Sequence, residues 1–451
     1  MQKNKNYTSA FISLTILFFM WGFMTVLNDI LIPYLKGVFE LNYFKAMLVQ
    51  FSFFIAYFVG SLIYFLISAT KGDPINKFGY KKGIILGLIV SAIGAFLFYP
   101  AAQFHVYGFF LSALFVLGLG FTLLQISANP YVAILGPEKS ASARLNLAQG
   151  FNSLGTTIAP VIGGFLIFTF FKESVGSDAV KIPYLLFGLA FVIIAIFIKI
   201  TPLPTFTSPD ERVTGFGALK YKQLVFGMIA IFMYVGGEVS IGSMIISFLN
   251  LPEIGGLSEV EASKFVSFYW GGQMIGRFLG AISLSNIKNK MLKYPLMIAV
   301  MLVAYLVIGF SMDFTTASIF SILLVINFIA FIAAGSKANR NLYVFALINI
   351  VLLLVVVNTS GNFALWSLVG IGLFNSIMWS NIFTLAIAGL GKYTSQGSSL
   401  LVMMILGGAI LPLFMGLAAD AFGVHNSFVI PIISYLYLAF YGLKGYKPSK
   451  S

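Results

Sequence analysis

Two carboxylic acids stand where carboxylic acids are costly. Asp29 follows Asn28 near the middle of LFFMWGFMTVLNDILIPYLK (17–36), an apolar run long enough to cross a bilayer. Glu238 lies in YVGGEVSIGS, midway through a second such run, beside glycines that allow close backbone approach. An ionisable side chain at the bilayer centre costs about 2.5–3.5 kcal/mol on insertion scales, so it faces a protein-lined or watery interior. A carboxyl group there can take up a proton from one side and release it when the cavity reopens on the other. Its oxygens, with Asn28, Thr25 or Ser240 nearby, could instead hold Na⁺. The plainer alternative is structural: Asp29 capping or pairing a neighbouring helix, and Glu238 partnering another one. Most of the other acids, of 14 in all, fall in loops or at helix ends, with Asp420 near the end of its run.

The elements that hold these acids are membrane spans. The chain has 451 residues, 59% hydrophobic and 9% charged, against about 25% charged in soluble domains. Its mean hydropathy is +0.97. Apolar runs fall at about 10–36, 46–69, 83–102, 106–135, 146–171 and 182–200. They resume at 223–250, 263–285, 293–312, 315–335, 341–358, 361–389, 396–419 and 427–443. Fourteen spans follow, each near the roughly 20 residues that crossing requires. With the N-terminus inside, 21 of the 27 Lys and Arg fall in inside loops, five outside, and Arg277 within a helix. That asymmetry is the positive-inside bias, and it puts both termini in the cytoplasm. The net charge of +13 is therefore a topology signal, and no nucleic-acid partner is expected. With no small-residue cleavage site after it, the first run reads as an uncleaved helix. There is no cysteine, and the two histidines, His105 and His425, sit in short connections, so neither a metal nor another cofactor is expected.

An internal repeat organises the spans. Gly118, Gly120, Asn129, Gly155, Pro160 and Gly164 recur 252 residues on as Gly370, Gly372, Asn381, Gly407, Pro412 and Gly416. Phe19-Met20 recurs only 213 residues on, as Phe232-Met233, so extra chain entered the second half between these points. A helical hairpin at about 289–336 accounts for it, since two spans leave later topology unchanged. The reading is an all-α polytopic protein of two six-helix halves, twelve core helices, plus an inserted hairpin. Residues 1–202 form the first half, 203–221 a cytoplasmic linker and 222–451 the second half. Parallel repeats of this kind describe the major facilitator architecture, with its site near the midplane between the halves. The hairpin, almost free of polar residues except Asn327, reads as peripheral and lipid-facing. Pro130, Pro160 and Pro412 read as kinks in cavity-lining helices.

The stretches WGFMTVLNDILIPYLK (21–36), ISANPYVAILGPEKSASARLNLAQGFNSLGTTIAP (126–160), YWGGQMIGRF (269–278), SIMWSNIFTLAI (376–387) and GSSLLVMMILGGAILP (397–412) resemble the fucose–proton symporter family of the major facilitator superfamily, in its glucose/galactose transporter branch. The resemblance implies import of a monosaccharide driven by a cation gradient, H⁺ ahead of Na⁺, through alternating access of the halves. It implies a bacterial cytoplasmic membrane and a functional monomer. Two departures stand out. In GDPINKFGYKK (72–82), Asn76 and Lys77 replace the Asp-Arg of the superfamily's loop signature, which puts the usual cytoplasmic charge latch in doubt. Gln125 stands where the fucose transporter pattern has a proton-coupling glutamate, and an amide releases no proton at physiological pH.

A sugar presents hydroxyls and an apolar ring face, so its site needs amides that donate and accept and an aromatic surface. The core helices offer Gln125, Asn129, Gln149, Asn152, Gln273, Asn375 and Asn381, with Asn28 beside Asp29. Gln149 and Asn152, three residues apart, share a helical face, and the resemblance implies that this face lines the cavity. Trp21 and Trp379 are the stacking candidates. Each amide could instead bond one helix to another, worth about 0.6 kcal/mol on average. Arg277, after Gly276, reads as structural, snorkelling or pairing with helix-terminal carbonyls. A drug or lipid exporter on the same scaffold would want an apolar cavity, which these amides do not provide. An enzyme would want a metal triad, a Ser-His pair or paired acids, and the chain offers little toward any of them.

Overall fold

A chain in lipid must satisfy its backbone hydrogen bonds within itself, and here it does so entirely with helices. The computed structural model describes residues 8–71, 74–135, 141–170, 176–204, 217–284, 287, 289–390 and 394–447. Its long helices are α1 (Thr8–Val38), α2 (Tyr43–Lys71), α3 (Tyr80–Phe96, carried on by Phe98–Phe104), α4 (Tyr107–Ile134), α5 (Ala141–Phe165), α6 (Lys181–Ile200) and α7 (Lys222–Leu249). There follow α8 (Glu259–Ser283), α9 (Lys290–Ser311), α10 (Phe314–Ala334), α11 (Ala338–Asn358), α12 (Gly361–Asn375, resuming as Met378–Ile387), α13 (Gly407–Phe422, preceded by Thr394–Met403) and α14 (Ile430–Phe440). The fourteen predicted spans are all helical.

The repeat is visible in the packing. In the first half α1 packs on α5, and α4 on α2 and α3; in the second α7 packs on α13, and α12 on α8 and α11. A Cβ at Gly155 would lie 2.2 Å from the Phe19 carbonyl oxygen, and one at Gly407 only 1.8 Å from that of Phe232. The two glycines are repeat mates and so are the two phenylalanines. Each pair lets one helix of its half lie directly on the backbone of another, which only glycine permits. The halves meet along α5 with α8, α2 with α13, and α1 with α7, the first two contacts being exchanged by the repeat.

Among the described residues, twelve helices are long and apolar enough to cross a membrane by themselves. The two that fall short are α5 (ASARLNLAQGFNSLGTTIAPVIGGF) and α8, which opens EVEASK. They pack on each other and, respectively, on α1 and α12, which turns much of their polar surface toward protein. The helices poorest in apolar residues therefore line the junction of the halves. The start of α8 is fixed by a capping box between Ser258 and Glu261. The α9–α10 hairpin packs on α8 and α12 and keeps Leu302, Val303, Phe310, Ile322 and Ile329 exposed, as a lipid-facing element would. Asn327 is buried and donates to the Leu373 carbonyl at 3.3 Å, fastening α10 to α12.

Pro160 and Pro412 lie inside continuous helices, whereas the side chain of Pro130 is outside the described residues. The sharpest interruption has no proline: α12 breaks between Asn375 and Met378. That break releases backbone carbonyls into the protein interior, and that of Ser376 serves the site below.

Candidate functional site

Asp29, 3% exposed, is held from three other helices. Gln50 of α2 donates to its Oδ1 at 2.9 Å and Trp270 of α8 to its Oδ2 at 3.0 Å. Ser243 of α7 stands 3.4 Å from Oδ1, its proton directed to the Val239 carbonyl at 2.7 Å. Gln50 also donates to Ser243 Oγ at 2.9 Å. An acid of the first half is thus held by donors of both halves. Hydrogen bonds to a carboxylate are worth about twice neutral ones, so this junction is a strong one.

Glu238 lies one helical turn before Gly242, which packs against Asp29, so α7 presents both toward the junction. Tyr234 and Gln273 both donate to its Oε1. Tyr269 donates to its backbone carbonyl at 3.1 Å. Behind Gln273 stands Arg277, which donates to Gln273 Oε1 at 3.2 Å, to the released Ser376 carbonyl at 3.3 Å, and across the junction to Ser153 of α5. Pairing with a helix-terminal carbonyl was one reading of Arg277 from sequence; its reach to α5 was not. The two acids, Gln273 and Arg277 form one polar seam through the junction.

The amides divide by how far they are committed. Asn375, fully buried, uses its whole side chain inside the second half: it donates to Tyr269 Oη at 2.9 Å and accepts from Asn349 at 2.9 Å and Tyr435 at 2.8 Å. Asn152 donates to the Phe18 carbonyl of α1 at 3.0 Å. Gln125 hydrogen-bonds Tyr57, which accepts from Trp21 Nε1 at 3.3 Å, making a three-helix wall in the first half. Gln149, half-buried one turn before Ser153, makes no side-chain hydrogen bond among the described residues. Among the described residues, Asn28 is fully buried with neither amide atom partnered, and Asn381 is buried with no partner at Nδ2. Trp379, half-buried, stacks on Phe383 at 6.3 Å in the resumed part of α12. The side chain of Asn129 is outside the described residues. Thr25 is occupied by the Trp21 carbonyl at 2.9 Å, and Ser240 is buried without a partner.

Reasoning from sequence missed Gln50, Ser243, Trp270, Tyr234, Tyr269 and Ser153. Gln50 carried a signal, as a polar side chain in an apolar span. Ser243 is the last residue of the YVGGEVSIGS stretch read around Glu238, and Trp270 lies within the quoted YWGGQMIGRF. The tyrosines carried no such signal, because a tyrosine in a span reads equally well as packing.

The Major Facilitator Superfamily model matches residues 11–341. The chain belongs to that superfamily. Within it, the chain is 45% identical over 449 residues to a glucose/galactose transporter of Brucella abortus, covering 98% of this chain and 95% of that one. It is 30% identical over 461 residues to the L-fucose-proton symporter of Escherichia coli, covering 96% and 92%. Among solved structures, this superfamily's transporter FucP in the outward conformation superposes with a TM-score of 0.67 at 28% identity, over 99% of this chain and 100% of that one. In transporters of this architecture the substrate site lies near the midplane where the repeats meet.

Proposed function

We propose that this superfamily member imports a hexose of the glucose or galactose type together with a proton, by alternating access across the bacterial inner membrane. The observation that carries the reading is Asp29: a buried acid of one half, held by the amide of Gln50 on α2 and the indole of Trp270 on α8 with Ser243 of α7 beside it, two of these three neighbours lying on the other half. A group so placed can bind a proton only by altering the contact between the halves, which is the requirement for coupling. Glu238, on the same face of α7, is the second proton-carrying candidate. The names of the relatives support the cargo and, through the fucose–proton symporter, the ion.

In this reading residues 1–202 and 222–451 rock as two bodies joined by 203–221, with both termini in the cytoplasm, and the protein works as a monomer. Gln149, Asn152, Gln125 and Asn28 of the first half face sugar hydroxyls, with Trp21 as the stacking surface. Gln273, Asn381 and Trp379 are the second half's contribution, with Asn129 completing the amide set, while Asn375, expected from sequence among them, is consumed by Tyr269, Asn349 and Tyr435 and supports the wall behind. Uncommitted amides suit this role, since a bound hydroxyl would satisfy what the protein leaves open.

The test is uptake of labelled glucose and galactose into proteoliposomes, with a proton gradient and a sodium gradient imposed separately. Uptake driven by pH alone supports the proposal. Uptake that requires sodium would replace the proton by Na⁺ at the same carboxylates, and no uptake of either sugar would refute the cargo.

A further inference from the structure

Gln50 is placed unlike any other polar residue of the seam. It is 2% exposed on α2, and its amide nitrogen spends both hydrogens at once, one on Asp29 Oδ1 and one on Ser243 Oγ, each at 2.9 Å. Ser243 has given its own proton to Val239, so it can only accept from Gln50. The Gln50 Oε1 atom is buried and accepts nothing. Leaving a buried acceptor unpaired costs about 1–3 kcal/mol, so something must offset it. The charge-assisted bond to an ionised Asp29 does.

We propose that Gln50 is the positioning residue that converts the protonation of Asp29 into separation of the two halves at the end of the bundle opposite the termini. The step rests on Asp29 being the proton carrier. While Asp29 is ionised, Gln50 turns its nitrogen toward it and the same nitrogen ties Ser243, so α2 and α7 are held together. When Asp29 takes a proton, its new O–H needs an acceptor, and the vacant one is Gln50 Oε1. Turning the amide to offer Oε1 satisfies that oxygen and carries the nitrogen away from Ser243, which loses its donor. The proton ends on Asp29 and no covalent bond changes elsewhere; the bond between Asp29 and Gln50 within the first half is kept with its direction reversed, and the bond between the halves is lost.

Two carboxylates cross the halves at this end, Asp29 and Asp420 of α13, which accepts from the Tyr43 and Phe44 backbone amides of α2 at 2.8 and 2.9 Å, and the Asp29→Asn variant separates their contributions. On α7 the facing ionisable group is Glu238, one turn away, with Tyr234 bonded to it. On α8, Arg277 lies beyond Glu238, and Tyr269 is bonded to the Glu238 backbone. On α2, Tyr57 is two turns from Gln50 and bonded to Trp21, and the described side chains of α5 include no acid or base. A closed state that holds Asp29 ionised binds fewer protons than the open one, so falling pH favours opening at this end.

The chain has no cysteine, so cysteines replacing Lys45 at the start of α2 and Asn426 just after α13, both exposed and on opposite halves, give a clean spin-label pair. The distance distribution is followed through a pH series in the full chain in nanodiscs, for the unsubstituted core and for Asp29→Asn, Gln50→Met and Ser243→Ala. The expected result is a closed-to-open ratio that falls about threefold to tenfold with acidification in the unsubstituted protein, the effect of one hydrogen bond. All three variants should be flat. If Asp29→Asn is flat while Gln50→Met and Ser243→Ala titrate normally, Gln50 does not read Asp29 and the inference is overturned with the coupling role intact. If Asp29→Asn still titrates, the coupling role itself fails, and this inference with it. Ser243→Ala leaves the Gln50–Asp29 bond in place, so it tests the tie even if Gln50→Met does not fold.

Discussion

Replacing Asp29 by asparagine tests the site most directly, because the amide is nearly isosteric and the structure says what it would face. The carboxylate accepts from Gln50 on one oxygen and from Trp270 on the other. The introduced amide has a single oxygen, so one of these two donors meets an NH₂ group instead. A buried donor left without an acceptor costs about 1–3 kcal/mol, which is roughly a fivefold to 150-fold change in equilibrium between a state that makes the contact and one that does not. Since Trp270 belongs to the second half and Asp29 to the first, that change falls on opening and closing, with the fold of each half spared. The amide also does not titrate at working pH, so it cannot gain and release a proton. The expected phenotype is therefore split: gradient-driven accumulation falls to the equilibration level, while sugar binding and sugar-for-sugar exchange persist at altered rates. The assay is paired, accumulation under an imposed pH gradient beside counterflow in preloaded vesicles without one. Full accumulation by the variant would refute the coupling role of Asp29. Loss of exchange and accumulation together, with sugar binding also gone, would mean that Asp29 holds substrate and does not drive it.

Gln149→Ala should weaken sugar binding by about tenfold while leaving thermal stability unchanged, since its amide bonds nothing among the described residues; an unchanged affinity in a binding titration would remove it from the sugar site. Asn375→Ala should do the reverse and lower stability by about 2–4 kcal/mol, because it strands Tyr269, Tyr435 and Asn349 in a buried network; the midpoint of thermal unfolding in detergent checks this. Asp420 accepts from the Tyr43 and Phe44 backbone amides at 2.8 and 2.9 Å, capping α2 from the other half, so Asp420→Ala should shift the spin-label distances toward the open form at every pH. Deleting 289–336 should leave a transporter that inserts and takes up sugar, since the hairpin lies outside the seam; a well-inserted but inactive protein would make the hairpin part of the pathway.

Much of the architecture was legible in the sequence. Span number, the repeat and the inserted hairpin follow from hydropathy and from spacing along the chain, which are one-dimensional properties. The glycine and phenylalanine offsets even named both sides of the Gly155–Phe19 and Gly407–Phe232 contacts, because only glycine tolerates a backbone at that distance. Asp29 and Glu238 stood out because a charge in hydrocarbon has few uses. What the sequence could not provide was the partnership between residues from separate helices. Asp29 meets Trp270 across 241 positions and Ser243 across 214, and no periodicity within a helix encodes which faces will oppose. The same holds for the amides: Asn375 and Gln149 are equivalent as letters, yet one is consumed by three neighbours and the other by none. Whether a polar side chain in a span serves the fold or waits for a ligand depends on what other helices bring to it, and that is decided only when the halves have packed.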